Sequence, residues 1–210
     1  QGVQIIYGPH VTVIKSNLED YLETAPDTYA ETTVLENTET KTEEITVSEN
    51  AENETKAKST IIISSPITGN AADLSAVPDE AFAGRMMGDG AAVTPTEAII
   101  TAPEDGEVAF VFDTKHAIGF ETESGVELLI HVGVDTVSLN GEGFEVFVEN
   151  GQKVKKGDAM MKINIPYLTE HAPSLCSPVL CTDLDDNQKI RLLAKGEIKA
   201  GEPLFAIDVY

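Results

Sequence analysis

Tryptophan is absent from this sequence of 210 residues, cysteine occurs twice, and 14 basic residues stand against 36 acidic ones. The shortage of positive charge argues against nucleic acid or an anionic lipid surface as a ligand, because both are bound through cationic side chains. The net charge of −22 fits a basic protein partner better. No apolar run approaches the roughly 20 residues that cross a bilayer, and the first residues lack a signal-peptide pattern. We therefore expect a cytoplasmic chain without membrane insertion of its own.

The two cysteines, Cys176 and Cys181, are close together in the sequence but form no CxxC motif, and there is no second pair. This spacing indicates buried thiols in a reducing compartment rather than a disulfide or a metal site. Neither cofactor nor metal is therefore expected at these sulfur atoms.

Composition divides the chain into three zones. In residues 1–23, a strand-like run over 3–7 is followed by a helical pattern with apolar residues at spacings of three and four. A strand and a helix of this size cannot form a core alone, so this zone is predicted to be the tail of a domain whose main part lies upstream. Residues 24–58 are rich in Thr, Glu and Asn without sustained periodicity, which predicts a flexible acidic linker with a span of about 30 to 35 Å.

The third zone, residues 59–210, has short apolar runs separated by Gly, Pro and Asp. This texture predicts an all-β sandwich or barrel, with strands near 61–63, 98–101, 107–112, 126–132, 144–148, 159–163 and 204–209. Residues 185–193 are predicted to form a short helix. The lack of a long amphipathic helix argues against nucleotide-binding α/β folds and their Gly-rich phosphate loops.

Two of the four histidines, His116 and His131, lie in neighbouring strand-like segments. A tight turn at 123–125 lets these segments pair antiparallel, so the two imidazoles are expected to face each other across the ladder. His131 interrupts the apolar run LLIHV, and Gly133 beyond it permits close approach of another molecule's backbone. Burial favours a neutral imidazole, and a neutral nitrogen is the nucleophile that phosphoryl transfer to histidine requires.

Three other interpretations stay open on the residues alone. Each histidine could be a satisfied, partly buried core residue. His116, His131 and Asp135 could bind zinc, although the HxH or HExxH spacing of a specific site is missing. The turns at 102–108 and 150–158 resemble those of biotinyl and lipoyl carrier domains, in which a hairpin lysine carries the cofactor. The candidate there, Lys162, directly follows the turn within the next strand, which fits an ordinary strand residue better.

Six segments within residues 60–208 together resemble one family: SPITG (65–69), VPDEAFA (77–83), GDG (88–90), TKHA (114–117), GVELLIHVGVDTV (125–137) and GEGF (141–144). The family is the glucose-type enzyme IIA domain (EIIA type-1) of the phosphoenolpyruvate-dependent sugar phosphotransferase system. The resemblance implies an antiparallel β-sandwich and a phosphotransferase with a phosphohistidine intermediate and no cofactor. By resemblance, His131 accepts phosphate on Nε2 from the phosphocarrier protein HPr, His116 donates a hydrogen bond to it, and Thr114 orients His116.

A partner-binding surface around the histidines is expected from the same resemblance. Phe82, Phe112 and Ile118 are candidates for an apolar collar that excludes water and protects a phosphohistidine from hydrolysis. Asp79 and Asp135 are candidates for docking a partner's basic residues. The alternative is that these two carboxylates only solvate a turn and a strand end.

The first zone resembles the last strand and helix of an enzyme IIB domain, in the segments QGVQIIYGP (1–9) and KSNLEDYL (15–22). The order IIB, linker, IIA is like that of fused permeases arranged IIC-IIB-IIA, with IIC as the membrane channel, and the start at Gln rather than Met fits a fragment of one. This order favours glucose or N-acetylglucosamine as the imported sugar. The phosphoryl group would then pass to a IIB cysteine, with the linker raising the effective concentration of IIA. A regulatory module that signals the sugar state is the remaining alternative.

Overall fold

The structure is a computed structural model that describes residues 57–210. The strand and helix predicted within 1–23, and almost all of the linker predicted over 24–58, lie outside these residues. The described part has two short α-helices, α1 (Glu80–Ala83) and α2 (Ile165–His171), and two 3₁₀ turns, Leu74–Ala76 and Thr136–Leu139. Its main elements are the strands β1 (Ser59–Ser64), β2 (Ile67–Asp73), β3 (Asp89–Thr101), β4 (Gly106–Val111), β5 (Ala117–Thr122), β6 (Glu127–His131), β7 (Phe144–Val146), β8 (Lys153–Val154), β9 (Ala159–Ile163), β10 (Ser177–Cys181), β11 (Gln188–Leu192), β12 (Gly196–Ile198) and β13 (Pro203–Val209).

These strands form two antiparallel sheets. The larger sheet has the order β12-β2-β3-β10-β6-β5-β4-β8, and β9 pairs with both β3 and β7. The smaller sheet has the order β1-β13-β11. Strand β10 lies between β3 and β6 and is buried along its whole length, which explains why its sequence shows no alternation of polar and apolar residues.

The larger sheet has apolar packing on both faces around β5, β6 and β10. Successive residues of a strand point to opposite faces. Leu128 and Ile130 of β6 therefore join the main core, which also contains Phe205 of the smaller sheet, whereas Leu129 joins a second, smaller cluster with Phe82 of α1. The second cluster is the environment in which the histidines lie.

The fold class predicted from the sequence, an all-β antiparallel sandwich, is confirmed. The helix predicted over 185–193 is wrong, because Gln188–Leu192 is strand β11. Its half-buried Ile190 and Leu192 alternate with exposed residues, which is the period of a strand. Helix α2 has no counterpart among the predicted elements, although Asn164, which caps it, is an ordinary helix-start signal. No helix of the described residues is long and apolar enough to cross a membrane.

Candidate active site

His116 and His131 lie side by side at one end of the β5–β6 hairpin. His131, the last residue of β6, pairs with Ala117, the first residue of β5, so His116 lies one position outside this pair. The two imidazole centroids are 4.8 Å apart, with ring planes at 74°. His116 is 0% exposed and His131 is 1% exposed. The hairpin thus brings together the two histidines that the sequence places on neighbouring strands.

The two ring nitrogens of His131 have different surroundings. Nδ1 lies 2.9 Å from the carbonyl oxygen of Gly133. Because a carbonyl can only accept a hydrogen bond, Nδ1 carries the proton and Nε2 keeps an unprotonated lone pair. Nε2 is buried and has no hydrogen-bond partner within residues 57–210. His131 therefore presents one nucleophilic nitrogen whose lone pair is not occupied by any group of the described residues.

The ring of His116 is held by the hydroxyl of Thr114, whose Oγ1 lies 2.7 Å from His116 Nδ1. Both residues belong to the tight turn between β4 and β5, in which Lys115 N–H donates to the Phe112 carbonyl at 2.8 Å. When the Thr114 hydroxyl donates to Nδ1, the proton of the neutral ring is on His116 Nε2. This Nε2 is also buried and unpartnered among the described residues, so it can donate to an anion held beside His131.

Burial keeps both imidazoles neutral. It lowers the pKa of His116 from 6.5 to about 2, and the neighbouring His131 acts in the same direction. It lowers the pKa of His131 from 6.5 to about 4, against the opposing effects of the Gly133 carbonyl and the Asp79 charge. Neutral His131 is the form that can attack phosphorus, and it is the form present near pH 7.

Aromatic rings enclose the two histidines. The Phe82 centroid is 5.0 Å from that of His131, and the Phe112 centroid is 5.0 Å from that of His116. Both phenylalanines are almost completely buried. These two predicted collar residues therefore line the histidine site, where they limit the access of water.

The third predicted collar residue, Ile118, is not brought to the histidines. It belongs to the main core, opposite Ile130 on β6, and is fully buried. Its neighbour Ala117 points to the other face and joins the cluster that surrounds the histidines. Ile118 therefore packs in the main core, on the face of the sheet away from the cluster that surrounds the histidines.

Asp79 and Asp135 lie in the two segments that flank the site. Asp79 caps helix α1, where its Oδ1 accepts hydrogen bonds from the N–H groups of Ala81 at 2.9 Å and Phe82 at 3.3 Å. This cap fixes the short helix that places Phe82 against the histidine. Asp135 is exposed and adopts the left-handed backbone conformation, with φ at 55°, directly before the 3₁₀ turn Thr136–Leu139.

Residues 61–187 match the family described as phosphoenolpyruvate-dependent sugar phosphotransferase system, EIIA 1. The chain belongs to this family. Among solved structures, the glucose permease IIA from Mycoplasma capricolum matches this EIIA 1 chain with a TM-score of 0.66 and 37% sequence identity. The match covers 71% of this chain and 96% of that one, so the shared fold extends over nearly all of the solved IIA domain.

Longer relatives cover almost the whole EIIA 1 chain. It is 39% identical over 207 residues to the PTS system glucoside-specific EIICBA component of Staphylococcus carnosus, a match that covers 99% of this chain and 28% of the relative. It is 45% identical over 187 residues to the PTS system glucose-specific EIICBA component of Staphylococcus saprophyticus, which covers 89% of this chain and 26% of the relative. The chain therefore spans less than a third of the length of these relatives.

The alternative sites gain no support from the EIIA 1 fold. Lys162 lies within β9, in register with Ile99 of β3 and Glu145 of β7, rather than at the tip of a hairpin. Residues 57–210 contain no group of three or more His, Cys, Asp or Glu side chains that could hold a metal ion. Cys176 and Cys181 are free and buried.

One residue that supports the aromatic rings around the histidines was not among the site residues predicted from the sequence of the EIIA 1 chain. Phe110 contacts Phe112 edge-on, with centroids 5.3 Å apart, and its ring covers Gly119 on β5. Any side chain at Gly119 would collide with this ring. A glycine inside a strand signals a close approach of this kind, so Gly119 is the sequence feature that points to the support.

Proposed function

We propose that His131 accepts a phosphoryl group on Nε2 from phosphorylated HPr and passes it to a cysteine of an enzyme IIB domain. The observation that carries this proposal is the hydrogen bond of 2.9 Å between Nδ1 and the Gly133 carbonyl, which leaves Nε2 as a buried nucleophile without a partner in the described residues. The family to which the chain belongs supports a phosphotransfer role.

In the first step, the lone pair of His131 Nε2 forms the bond to phosphorus while the bond from phosphorus to the HPr histidine breaks, and the HPr nitrogen keeps its electron pair. No proton has to leave Nε2, because the proton is already on Nδ1. The phosphorylated ring becomes cationic, and the Gly133 carbonyl stabilises this charge through Nδ1–H. In the second step, a IIB thiolate attacks phosphorus, and the cationic ring is a good leaving group that returns to neutral His131.

His116 stabilises the phosphoryl group in this proposal. Its Nε2–H points into the same buried site, with the ring centroids 4.8 Å apart, and donates to a phosphoryl oxygen. Thr114 orients His116 by holding its Nδ1. Phosphoryl transfer depends mainly on positioning and on stabilisation of charge, so these groups supply most of what the reaction needs.

The acidic groups near the site bind the donor in this proposal. Asp79 and Asp135 flank the histidines, and the chain has a net charge of −22, so a basic surface on HPr is attracted and oriented. Phe82 and Phe112 then exclude water from the phosphohistidine while the partners exchange.

The chain acts within a longer sugar-importing protein in this proposal. The relatives are EIICBA components, so we place IIC and IIB domains upstream in the same polypeptide, with residues 24–58 as the tether. One relative is named glucose-specific and another glucoside-specific, and both have the same component order. Domain order therefore does not by itself favour glucose or N-acetylglucosamine, and we propose a glucose-type sugar only as the substrate class.

Mass spectrometry after incubation with phosphoenolpyruvate, enzyme I and HPr tests the proposal. We expect one acid-labile phosphoryl group on the wild-type chain and none on His131→Ala. His116→Gln is the matched variant, because it keeps His131 and removes the second imidazole. It should still be phosphorylated, but transfer to a IIB cysteine should slow by about a hundredfold or more, the usual effect of losing one stabilising donor. An unmodified wild-type chain would refute the phosphocarrier function, and an unchanged onward rate in His116→Gln would refute the role of His116.

A further inference from the structure

The carbonyl of Gly133 accepts the hydrogen bond from His131, but a glycine has no side chain that would restrict its backbone conformation. Its backbone is left-handed, with φ at 73°, and an added Cβ would meet Thr136 Cγ2 at 2.8 Å and Ser174 O at 2.9 Å. Glycine fits this space, but it also rotates more freely than any other residue. The direction of the Gly133 carbonyl must therefore be set by the groups around it.

Two hydroxyl groups hold the peptide unit between Val132 and Gly133. Thr136 Oγ1 donates to the Val132 carbonyl at 2.6 Å, and Gly133 N–H donates to Ser177 Oγ at 3.1 Å. The Ser177 hydroxyl donates in turn to the Leu175 carbonyl at 2.8 Å. Thr136 and Ser177 are both 0% exposed. Both ends of this peptide unit are thus bound by buried side chains rather than by bulk water.

The next peptide unit, between Gly133 and Val134, touches the histidine. Its carbonyl accepts from His131 Nδ1, and its N–H donates to the Ser174 carbonyl at 2.9 Å. Hydrogen bonds at the two ends of one peptide unit polarise each other, so the Ser174 contact strengthens the bond to His131. If this unit turned over, an N–H would face Nδ1 instead, and the ring proton would move to Nε2.

We infer that the hydroxyl groups of Thr136 and Ser177 position His131 for phosphoryl transfer. They hold the peptide unit before Gly133, while the Ser174 carbonyl holds the peptide unit after it. With both sides of Gly133 held, its carbonyl faces Nδ1, and this keeps the reactive lone pair on Nε2. They are positioning residues, since they act through Gly133. The inference rests on the proposed function, because the fixed tautomer affects transfer only if Nε2 receives the phosphoryl group.

Four substitutions separate the hydroxyl groups from the packing of the side chains. Thr136→Val removes the hydroxyl and keeps the shape, whereas Thr136→Ser removes the methyl group and keeps the hydroxyl. Ser177→Ala removes the second hydroxyl. Ser65→Ala is the matched control, because Ser65 is equally buried and its hydroxyl also bonds two backbone groups, Ile67 O at 2.7 Å and Ile67 N–H at 3.2 Å, beside the main core.

Two readouts are needed, both on the full chain. The ¹⁵N NMR shifts of the His131 ring report which nitrogen carries the proton before phosphorylation, and the initial rate with phosphorylated HPr reports the reactivity of Nε2. Wild type, Thr136→Ser and Ser65→Ala should keep the proton on Nδ1 and should accept phosphate from HPr at similar rates. Thr136→Val and Ser177→Ala should show a population with the proton on Nε2 and rates lowered about threefold to tenfold, the effect of losing one hydrogen bond.

The inference would be overturned if Thr136→Val and Ser177→Ala kept the wild-type tautomer and the wild-type rate. It would also be overturned if Thr136→Ser lost as much rate as Thr136→Val, because the packing of the methyl group would then explain the effect. If Ser177→Ala does not fold, the two variants at Thr136 decide the question. A wild-type chain that takes up no phosphate would refute the proposed function. The tautomer measurement needs no phosphate, so it would still show whether the hydroxyl groups hold the ring.

Discussion

At the scale of single residues, the chemistry of His131 depends on two independent features of its surroundings. The Gly133 carbonyl decides which ring nitrogen carries the proton. Burial decides that the ring is neutral, since it lowers the pKa of His131 to about 4. A neutral ring with the other tautomer would be unreactive at Nε2, so both features are needed.

The same burial makes folding stability depend on pH. The pKa of His131 is about 4 in the folded chain and near 6.5 when unfolded, so the unfolded chain binds more protons between these values. Stability from the neutral ring is complete above about pH 6.5 and is lost as the pH falls toward 4. We expect the free energy of unfolding of wild type to fall by about 2 kcal/mol more than that of His131→Gln between pH 7 and pH 5.

Urea unfolding of both proteins at these two pH values checks this prediction. The carboxylates that also titrate between pH 5 and pH 7 are common to both chains. The difference between the stability lost by wild type and that lost by His131→Gln therefore isolates the contribution of His131. Equal losses in wild type and variant would contradict the neutral, buried state of the ring.

At the scale of secondary structure elements, helix α1 is too short to be stable alone, and its neighbours hold it over the histidines. The Asp79 cap fixes its start. After it, Arg85 forms ion pairs with Asp73 at 3.1 Å and Asp89 at 2.7 Å, at the ends of the strands that α1 connects. These pairs are partly exposed, so each contributes at most about 1 kcal/mol. The position of Phe82 therefore depends on several weak contacts and on the apolar cluster below.

Substitution of Asp79 separates its cap from its charge. Asp79→Asn keeps a capping oxygen and removes the charge, so its stability should stay close to wild type. Asp79→Ala removes both and should lower the free energy of unfolding by about 1 kcal/mol. Both variants should associate more slowly with HPr at low ionic strength, because the steering charge is lost from each. Urea unfolding and stopped-flow association at two salt concentrations measure these effects, and a wild-type association rate in Asp79→Asn would show that the charge has no docking role.

The elements that the sequence predicts well are those with a clear apolar pattern. The run around His131 predicts a buried strand and a partner strand across the turn at 123–125, and the structure contains both. The helix expected over 185–193 is wrong, because this segment pairs with β13 and forms a strand. The alternation of Ile190 and Leu192 with polar residues is too short to indicate a strand until that pairing is known. Ile118 was expected at the site, but the register of β5 with β6 places it opposite Ile130 and turns it to the main core.

At the scale of the whole molecule, the two faces of the larger sheet have different tasks. The main core, shared with the smaller sheet, contains most of the buried apolar side chains. The smaller cluster under α1 surrounds the two histidines. The close approach of the His116 and His131 rings could be predicted from the sequence because a hairpin joins their segments. The hydroxyl groups of Thr136 and Ser177 could not, because their effect depends on the direction of backbone carbonyls that only the folded chain defines.

The most direct test of the central claim is to identify the phosphorylated nitrogen. We predict that NMR of the ¹⁵N-labelled chain, phosphorylated through enzyme I and HPr, will show phosphorus coupled to Nε2 of His131. Phosphorus on Nδ1 of His131, on His116, or on no histidine at all would contradict the account.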